Sequence, residues 1–307
     1  MFHPGERAVQ RRAGVTIGGH GSAGVGTVIP PVAAEFLNLQ RMLVIAAAVD
    51  DGTVWASVLT GPPGFITTPD DRTIVADRLP GAGDPLAGRF TTEADIGMLA
   101  IEQASRRRMR VNGRAHTDGD RLWIHTEQVY SNCPKYIQTR TVMETDARTA
   151  NTSTYVTREP TPAHRRWISS ADTFFVATLA AGLGADASHR GGNPGFVTMT
   201  GDRRLTWPDY TGNSMYMTLG NLELDPRCGL LFLDWENGHT LHLTGRARTD
   251  WDQDRAAATP GAHRLIDFDI DQVVHITGAL PERWSFGGYS RFNPAVKLES
   301  HLAGKES

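Results

Sequence analysis

Cysteine is nearly absent. The 307 residues contain two, Cys133 and Cys228, and neither belongs to a Cys-x-x-Cys pair. That excludes a disulfide framework and a structural zinc site as sources of stability. Long apolar runs are missing as well. The longest, Met42 to Val49, is far short of the ~20 residues a membrane-spanning helix needs, and no apolar secretory core follows Met1. We therefore expect a cytoplasmic protein with no membrane partner. Neither sign of charge dominates: 31 Lys+Arg face 34 Asp+Glu, which removes any whole-chain argument for nucleic-acid binding. No His-Glu-x-x-His, Gly-x-Ser-x-Gly or phosphate-loop motif occurs, and no metal site is expected. Turn formers are plentiful, with 32 Gly and 17 Pro, in a length that holds two sizeable cores.

The chain repeats itself. Laying Pro31 to Arg72 over Pro162 to Arg203, at a shift of 131 without gaps, makes 11 of 42 positions identical. The identities come in ordered blocks: Ala56-Ser57 with Ala187-Ser188, Gly61-x-Pro-Gly-Phe65 with Gly192-x-Pro-Gly-Phe196, and Asp71-Arg72 with Asp202-Arg203. One residue further, Gly113-Arg-Ala115 meets Gly245-Arg-Ala247. Ordered blocks at one offset indicate an internal duplication.

Each half reads as the same series of elements. A proline-led helix opens it, at Pro30-Pro31 or Pro162. A buried strand follows, Met42 to Ala46 or Thr173 to Ala177, then a second strand to Ser57 or Ser188 and a Gly-x-Pro-Gly-Phe turn. Thr240 to Thr244 alternates strictly, with Leu241 and Leu243 on one face. Many short strands between Gly, Pro and Asp turns predict mainly β structure in antiparallel barrels with short helices. Thr117 to about Thr161 joins the halves, polar and loop-like from Asp146 to Thr154. The expected organisation is an N-terminal arm (1–29), a first repeat with its tail (30–145), a linker (146–160), a second repeat (161–285) and a C-terminal arm (286–307).

Two motifs are set aside. Gly19-His-Gly-Ser-Ala-Gly24 matches the dinucleotide fingerprint in letters, but the Gly- and Pro-bearing stretch from Val25 to Pro31 follows where a helix is required. His239 and His242 lie three apart on a strand, so they point to opposite faces and do not share an ion. They are expected to be solvent-facing or hydrogen-bonded. The run Arg106-Arg-Arg108, with Arg110 and Arg114, reads either as an exposed strand edge or as a patch for an anion or cofactor phosphate.

The halves differ after the shared serine. The first continues Val58-Leu-Thr-Gly61, while the second has His189-Arg190-Gly191-Gly192. A hydroxyl, an imidazole, a guanidinium and two glycine amides suit a bound anion. The second half also carries Trp207-Pro-Asp-Tyr-Thr-Gly-Asn-Ser214 and Leu219-Gly-Asn-Leu222, and the first lacks the Asn-Ser pair.

Together with the Thr-Gly-Arg-Ala strand at 244–247, these segments resemble the pyridoxamine 5′-phosphate oxidase-like, flavin-binding split-barrel family, over roughly Phe36 to Thr249. The resemblance implies two tandem split β-barrels of antiparallel Greek-key type forming a pseudo-dimer. It also implies non-covalent FMN, contacted by Ser188, Arg190, Tyr210, Asn213 and Ser214, with Asn221 as a further contact. His189, beside them, is the candidate proton donor or hydrogen-bond partner of the flavin. Asn132-Cys-Pro-Lys-Tyr-Ile-Gln-Thr-Arg140 is similar to the Cys-x-Lys tail of single-repeat relatives, and the second half shows no counterpart.

The implied arrangement is one composite site per chain, with Asn132, Lys135 and Tyr136 closing over a flavin cradled by the second half. The implied activity is that of a flavin-dependent oxidoreductase using a small-molecule substrate and an external reductant. Deazaflavin (F420), heme and a non-catalytic flavin carrier are the alternatives. Both a monomeric pseudo-dimer and a homodimer are compatible with two barrels per chain. The Arg-x-x-Pro segment that closes the vitamin-binding end of true pyridoxamine phosphate oxidases is expected to be absent, and vitamin B6 oxidation with it.

Overall fold

The computed structural model describes residues 2–15, 25–143 and 152–296. The Gly19–Gly24 fingerprint run, the centre of the linker and the end of the C-terminal arm lie outside the described residues. Proline sets where three helices begin. It occupies the first turn of α1 (Pro4–Arg12), α2 (Pro31–Asn38) and α3 (Pro162–Ser170), where a missing amide hydrogen costs nothing. His3 and Thr161 add capping boxes, with Glu6 and His164 reaching back to the chain. The fourth helix, α4 (Met217–Leu224), starts without a side-chain cap from Tyr216 in the left-handed region.

The first sheet contains β1 (Met42–Ala48), β2 (Val54–Thr60), β3 (Ile66–Asp70), β4 (Thr73–Ala76), β5 (Ala94–Glu102), β6 (Arg107–Asp118) and β7 (Arg121–Ser131), ordered β2-β1-β5-β6-β7-β4-β3. Two short strands follow, β8 (Thr139–Met143) and β9 (Ser153–Thr157). The second sheet contains β10 (Thr173–Ala180), β11 (Gly184–Gly191), β12 (Thr198–Met199), β13 (Arg204–Asp209), β14 (Arg227–Leu233), β15 (Thr240–Asp250) and β16 (Arg264–Thr277), ordered β11-β10-β14-β15-β16-β13-β12. All of the pairings are antiparallel, and the two orders coincide when β1–β7 are matched to β10–β16. The register coincides too: Ile45 lies opposite Ser57 and Met98, and Val176 opposite Ser188 and Leu230.

The stretch from Thr117 to Thr161 is less of a connection than the sequence suggests. It contains all of β7 and β8, and β9 pairs with β16 to widen the second sheet. The C-terminal arm expected from residue 286 begins inside β17 (Arg283–Gly288), which pairs with β8. The second half therefore does have a tail strand in space, although it lacks the Cys-x-Lys residues.

The three largest apolar clusters among the described residues hold the sheets together. Leu43, Ile45, Ile96 and Met98 belong to the first sheet's own core, and Phe174, Trp207, Phe232 and Phe268 to the second's. Met42, Val44 and Leu99 point the other way and meet Phe175, Ala187 and Leu231 between the sheets. Each fully buried Leu, Ile or Phe contributes about 1.5–3 kcal/mol. The sheets touch backbone to backbone at two related glycines. A Cβ on Gly97 would stand 2.5 Å from the Asp186 carbonyl carbon, and one on Gly229 would stand 2.6 Å from the Val54 oxygen. Beside Gly229, Thr244 donates to the Val54 carbonyl at 2.8 Å, and His242 Nδ1 bonds the Ala56 carbonyl at 2.9 Å. His242 is thus buried and hydrogen-bonded between the sheets, while Leu241 and Leu243 face the second core.

Candidate functional site

Strand alternation selects which arginines of the basic run turn inward. On β6, Arg108 and Arg110 share a face directed at the second half, whereas Arg107 points outward over the Phe36 ring at 4.9 Å. Arg114 is engaged elsewhere, by Glu93 and Asp95. β11 supplies His189 and Arg190 from the opposite side, and the loop from Asp209 to Tyr216 forms the floor. The chain after β7 crosses the top. Together they enclose a cavity of about 110 Å³.

Of the residues expected to hold a ligand, His189, Arg190, Tyr210, Asn213, Ser214, Asn132, Lys135 and Tyr136 all border this cavity. Ser188 and Asn221 do not. Ser188 lies on β11 two residues deeper than Arg190, where its fully buried hydroxyl is hydrogen-bonded to Thr218 Oγ1 at 3.1 Å. The Asn221 amide is spent inside the second half, donating to Thr178 Oγ1 at 3.1 Å. Both residues support the wall rather than form it. Cys133 also borders the cavity.

The tail is anchored by residues with no distinctive sequence signal. Gln138 is fully buried and donates to the carbonyls of Tyr136, Asp172 and Gly192, at 3.1, 3.1 and 3.2 Å. Its Oε1 accepts from Ser290 N at 2.8 Å and from Asn293 Nδ2 at 3.0 Å. Two residues on, Arg140 grips Asp172 through both carboxylate oxygens, at 2.6 and 2.7 Å, and lies 4.6 Å over the Trp235 ring. Tyr136, held at φ 66°, reaches across to donate to the Thr211 carbonyl at 3.1 Å. Its ring rests 5.2 Å from that of Tyr210. Ser214 and Tyr216, on the floor, also adopt positive φ, so the cavity wall stores backbone strain at three non-glycine positions.

The segment after β17 corrects one expectation outright. Arg291-Phe-Asn-Pro294 does have the Arg-x-x-Pro spacing. Asn293 reaches Gln138 and Asn193, and the Pro294 carbonyl accepts from Asn193 at 3.0 Å. Lys135 Nζ lies 5.6 Å from the Phe292 ring, and the exposed Arg291 stacks on that same ring at 5.0 Å.

The electrostatics are those of a crowded cationic pocket. Asp186 is fully buried and accepts from Arg110 (3.1 Å), Tyr130 (3.4 Å) and Thr218 (3.0 Å). Burial opposes the Arg110 charge, but Asp186 and Tyr130 more than offset it and hold this guanidinium above its ordinary value. Arg108 lacks that compensation. Burial, then Arg110 and Arg190, push it down to about 9. Arg190 is lowered chiefly by burial, although Asp209 opposes the shift. His189 falls well below its ordinary value through burial and the neighbouring arginines, so it is neutral. Arg108 Nη1 lies 3.1 Å from His189 Nδ1. A guanidinium only donates, so Nδ1 accepts and the imidazole proton sits on Nε2. His189 Nε2, Arg108 Nε and Arg190 Nε are all buried without a hydrogen-bond partner. Tyr210 is pushed up to about 12 by burial and by Tyr136, so its hydroxyl stays protonated.

The related position in the first half is closed. Val58 and Leu59 stand where His189 and Arg190 stand, and Ser57 donates to Asp84. Arg41 bonds Glu282 at 2.8 Å across the corresponding tail.

The fold defines an antiparallel split-barrel protein. Residues 160–274 match the family model described as Pyridoxamine 5′-phosphate oxidase. No curated protein matches the chain. Similar solved structures include a putative pyridoxamine 5′-phosphate oxidase from Lactobacillus delbrueckii, at 16% identity and TM-score 0.32, covering 38% of this chain and 94% of that one. HupZ of Group A Streptococcus is similar at 13% identity and TM-score 0.31, covering 38% and 98%. A FAD-binding protein from Mesorhizobium loti is similar at 13% identity and TM-score 0.30, covering 41% and 98%. Among the described residues no helix is long and apolar enough to cross a membrane, and no cluster of ligating side chains could hold a metal ion.

Proposed function

We propose that the cavity holds the phosphate end of FMN, the rest of the flavin extending beyond its 110 Å³, and that the protein is a flavin-dependent oxidoreductase acting on a small molecule. The observation that carries this reading is the set of buried donors without partners, Arg108 Nε, Arg190 Nε and His189 Nε2, on side chains that line one cavity. Leaving such groups unsatisfied costs about 1–3 kcal/mol each, and more where they are charged. An anionic, acceptor-rich group offsets that cost, and a phosphate ester joined to an oxygen- and nitrogen-bearing ring has both properties. A bound flavin supplies hydride and single-electron chemistry.

The chain's own residues do the rest. Arg108 and Arg190 hold the phosphate, with Arg110 kept in place by Asp186. Neutral His189 presents Nε2–H to an acceptor and is the candidate catalytic residue. Tyr136 and Tyr210 close the mouth and exclude water, while Asn132, Lys135, Asn213 and Ser214 line the approach. Ser188 and Asn221 position these groups from behind.

In this reading the chain is a tandem duplication, with repeats at 30–145 and 161–285 and a single composite site between them. Shared strand order and register support the duplication. Val58, Leu59 and the Ser57–Asp84 bond support the loss of a second site. The protein works in the cytoplasm, as a monomeric pseudo-dimer or a homodimer, with an external reductant.

Titration with FMN, riboflavin and F420 tests the proposal. The expected result is one FMN per chain, with Arg190→Ala weaker by about 10–100-fold. Two equivalents per chain would sink the single composite site. F420 in place of FMN would keep the phosphate reading and change the cofactor, and indifference to all three would remove it. Because Arg291-x-x-Pro294 is present, pyridoxamine phosphate belongs in the substrate screen.

A further inference from the structure

A second opening adjoins the cationic cavity and is of different character. It is a groove of about 540 Å³ walled by Val28, Val32, Phe36, Met109 and Val129. That volume falls within the range of small-molecule sites. Val28 and Val32 are 43% and 63% exposed, so this apolar face is open. Arg108 and Asn132 line both the groove and the cavity, so the two spaces share a wall. Arg108 Nε and Asn132 Oδ1 in that wall are buried without partners.

The charge around the groove has one sign. Arg106, Arg107 and Arg108 all border it, and none forms an ion pair with a carboxylate among the described residues. Arg106 is tied to the carbonyls of Ile137 and Tyr289, and Arg107 lies over Phe36. Apolar walls with an arginine rim select a molecule that is apolar along its length and anionic at one end.

We propose that this groove binds an amphiphilic carboxylate, a chain or flat ring system ending in an anion, and that it is the substrate site serving the neighbouring cavity. The substrate role rests on the flavin reading above, whereas binding in the groove does not. Arg107 pairs with the carboxylate while Val32, Phe36 and Met109 pack the apolar part.

The test uses the full chain and 8-anilinonaphthalene-1-sulfonate as a fluorescent apolar anion, displaced by decanoate or by decanol. Decanoate is expected to displace the probe about tenfold more effectively than decanol. Val32→Glu and Arg107→Gln alter exposed side chains, so both fold, and each is expected to weaken probe binding about tenfold. Arg190→Ala is expected to leave it unchanged. Equal displacement by decanol, or wild-type probe binding in both groove variants, overturns the proposed site. On the FMN-loaded protein, decanoate is expected to shift the flavin absorbance; bound decanoate that leaves the spectrum unmoved overturns the substrate role. Protein that keeps the probe pattern but binds no FMN refutes the flavin reading and leaves the groove standing.

Discussion

Arg108 on β6 donates to His189 Nδ1 on β11 across 3.1 Å, so a strand of one sheet fixes the tautomer of an imidazole on the other. With Nδ1 occupied and the ring neutral, His189 offers a donor and no acceptor to the cavity. The arginine is what makes this imidazole a donor, and neither half contains both groups.

Arg108→Gln is expected to weaken FMN by about 10–100-fold while changing riboflavin affinity little, because the lost interaction is with the phosphate. Fluorescence titration of the two flavins decides it. An equal loss for both would show that Arg108 acts on the ring or on the fold.

Gln138→Leu removes both halves of an amide that binds three carbonyls, an N–H and a side-chain amide. The expected cost is about 2–4 kcal/mol in denaturant unfolding, with earlier proteolysis of the tail. Cleavage elsewhere first, at unchanged stability, would remove Gln138 from this role.

Gly229→Ala is expected to cost about 3 kcal/mol or more, because the new Cβ meets the backbone of Val54 and Trp55, which cannot swing aside. Gly97→Ala meets the backbone of Asp186 and Ala187 and is expected to match it. Gly81→Ala, with open space around the site, is the control, expected within about 0.5 kcal/mol of wild type. Melting curves of the three variants suffice.

Two pH dependences of opposite sign are expected to overlap on the acid side of neutrality. Glu6 is buried beneath α1, which raises its carboxyl from 4.5 to about 7. The fold thus favours the protonated acid, and this contribution, complete below pH 4.5, is lost as pH rises through about 7. Glu6→Gln should flatten that limb. His164 and His275, 3.2 Å apart, are both lowered from 6.5, first by burial. Their contribution is complete above pH 6.5 and is lost on acidification. Unfolding free energy measured from pH 5 to 9, in wild type, Glu6→Gln and His275→Gln, tests both signs.

Much of this was legible from residue order. Proline marked the starts of α2 and α3, and the constant offset anticipated two sheets of one strand order. The contrast between Val58-Leu59 and His189-Arg190 singled out two residues that border the cationic cavity. Other features lay beyond one-dimensional reading. Ser188 shares a strand face with Arg190 but lies two residues deeper, covered by Thr218, and matching it with Ser57 does not reveal that depth. Strand alternation, applied to the basic run, separates Arg108 and Arg110 from Arg107. Gln138, Asp186 and Thr218 carry no motif, since all but one of their partners lie 30 or more residues away. Arg291-Phe-Asn-Pro294, by contrast, is plain in the sequence.

The bond from Ser290 N to Gln138 joins residues 152 positions apart, and this sets a schedule for synthesis. At ~5–20 residues per second, Gln138 leaves the ribosome roughly ten to thirty seconds before its partner exists. The first sheet has that interval in which to form, with its tail unmoored and its inward arginines facing water. A nascent chain halted between the two sheets would therefore carry a folded half with its groove but no cationic cavity, which is among the last parts of the molecule to come into being.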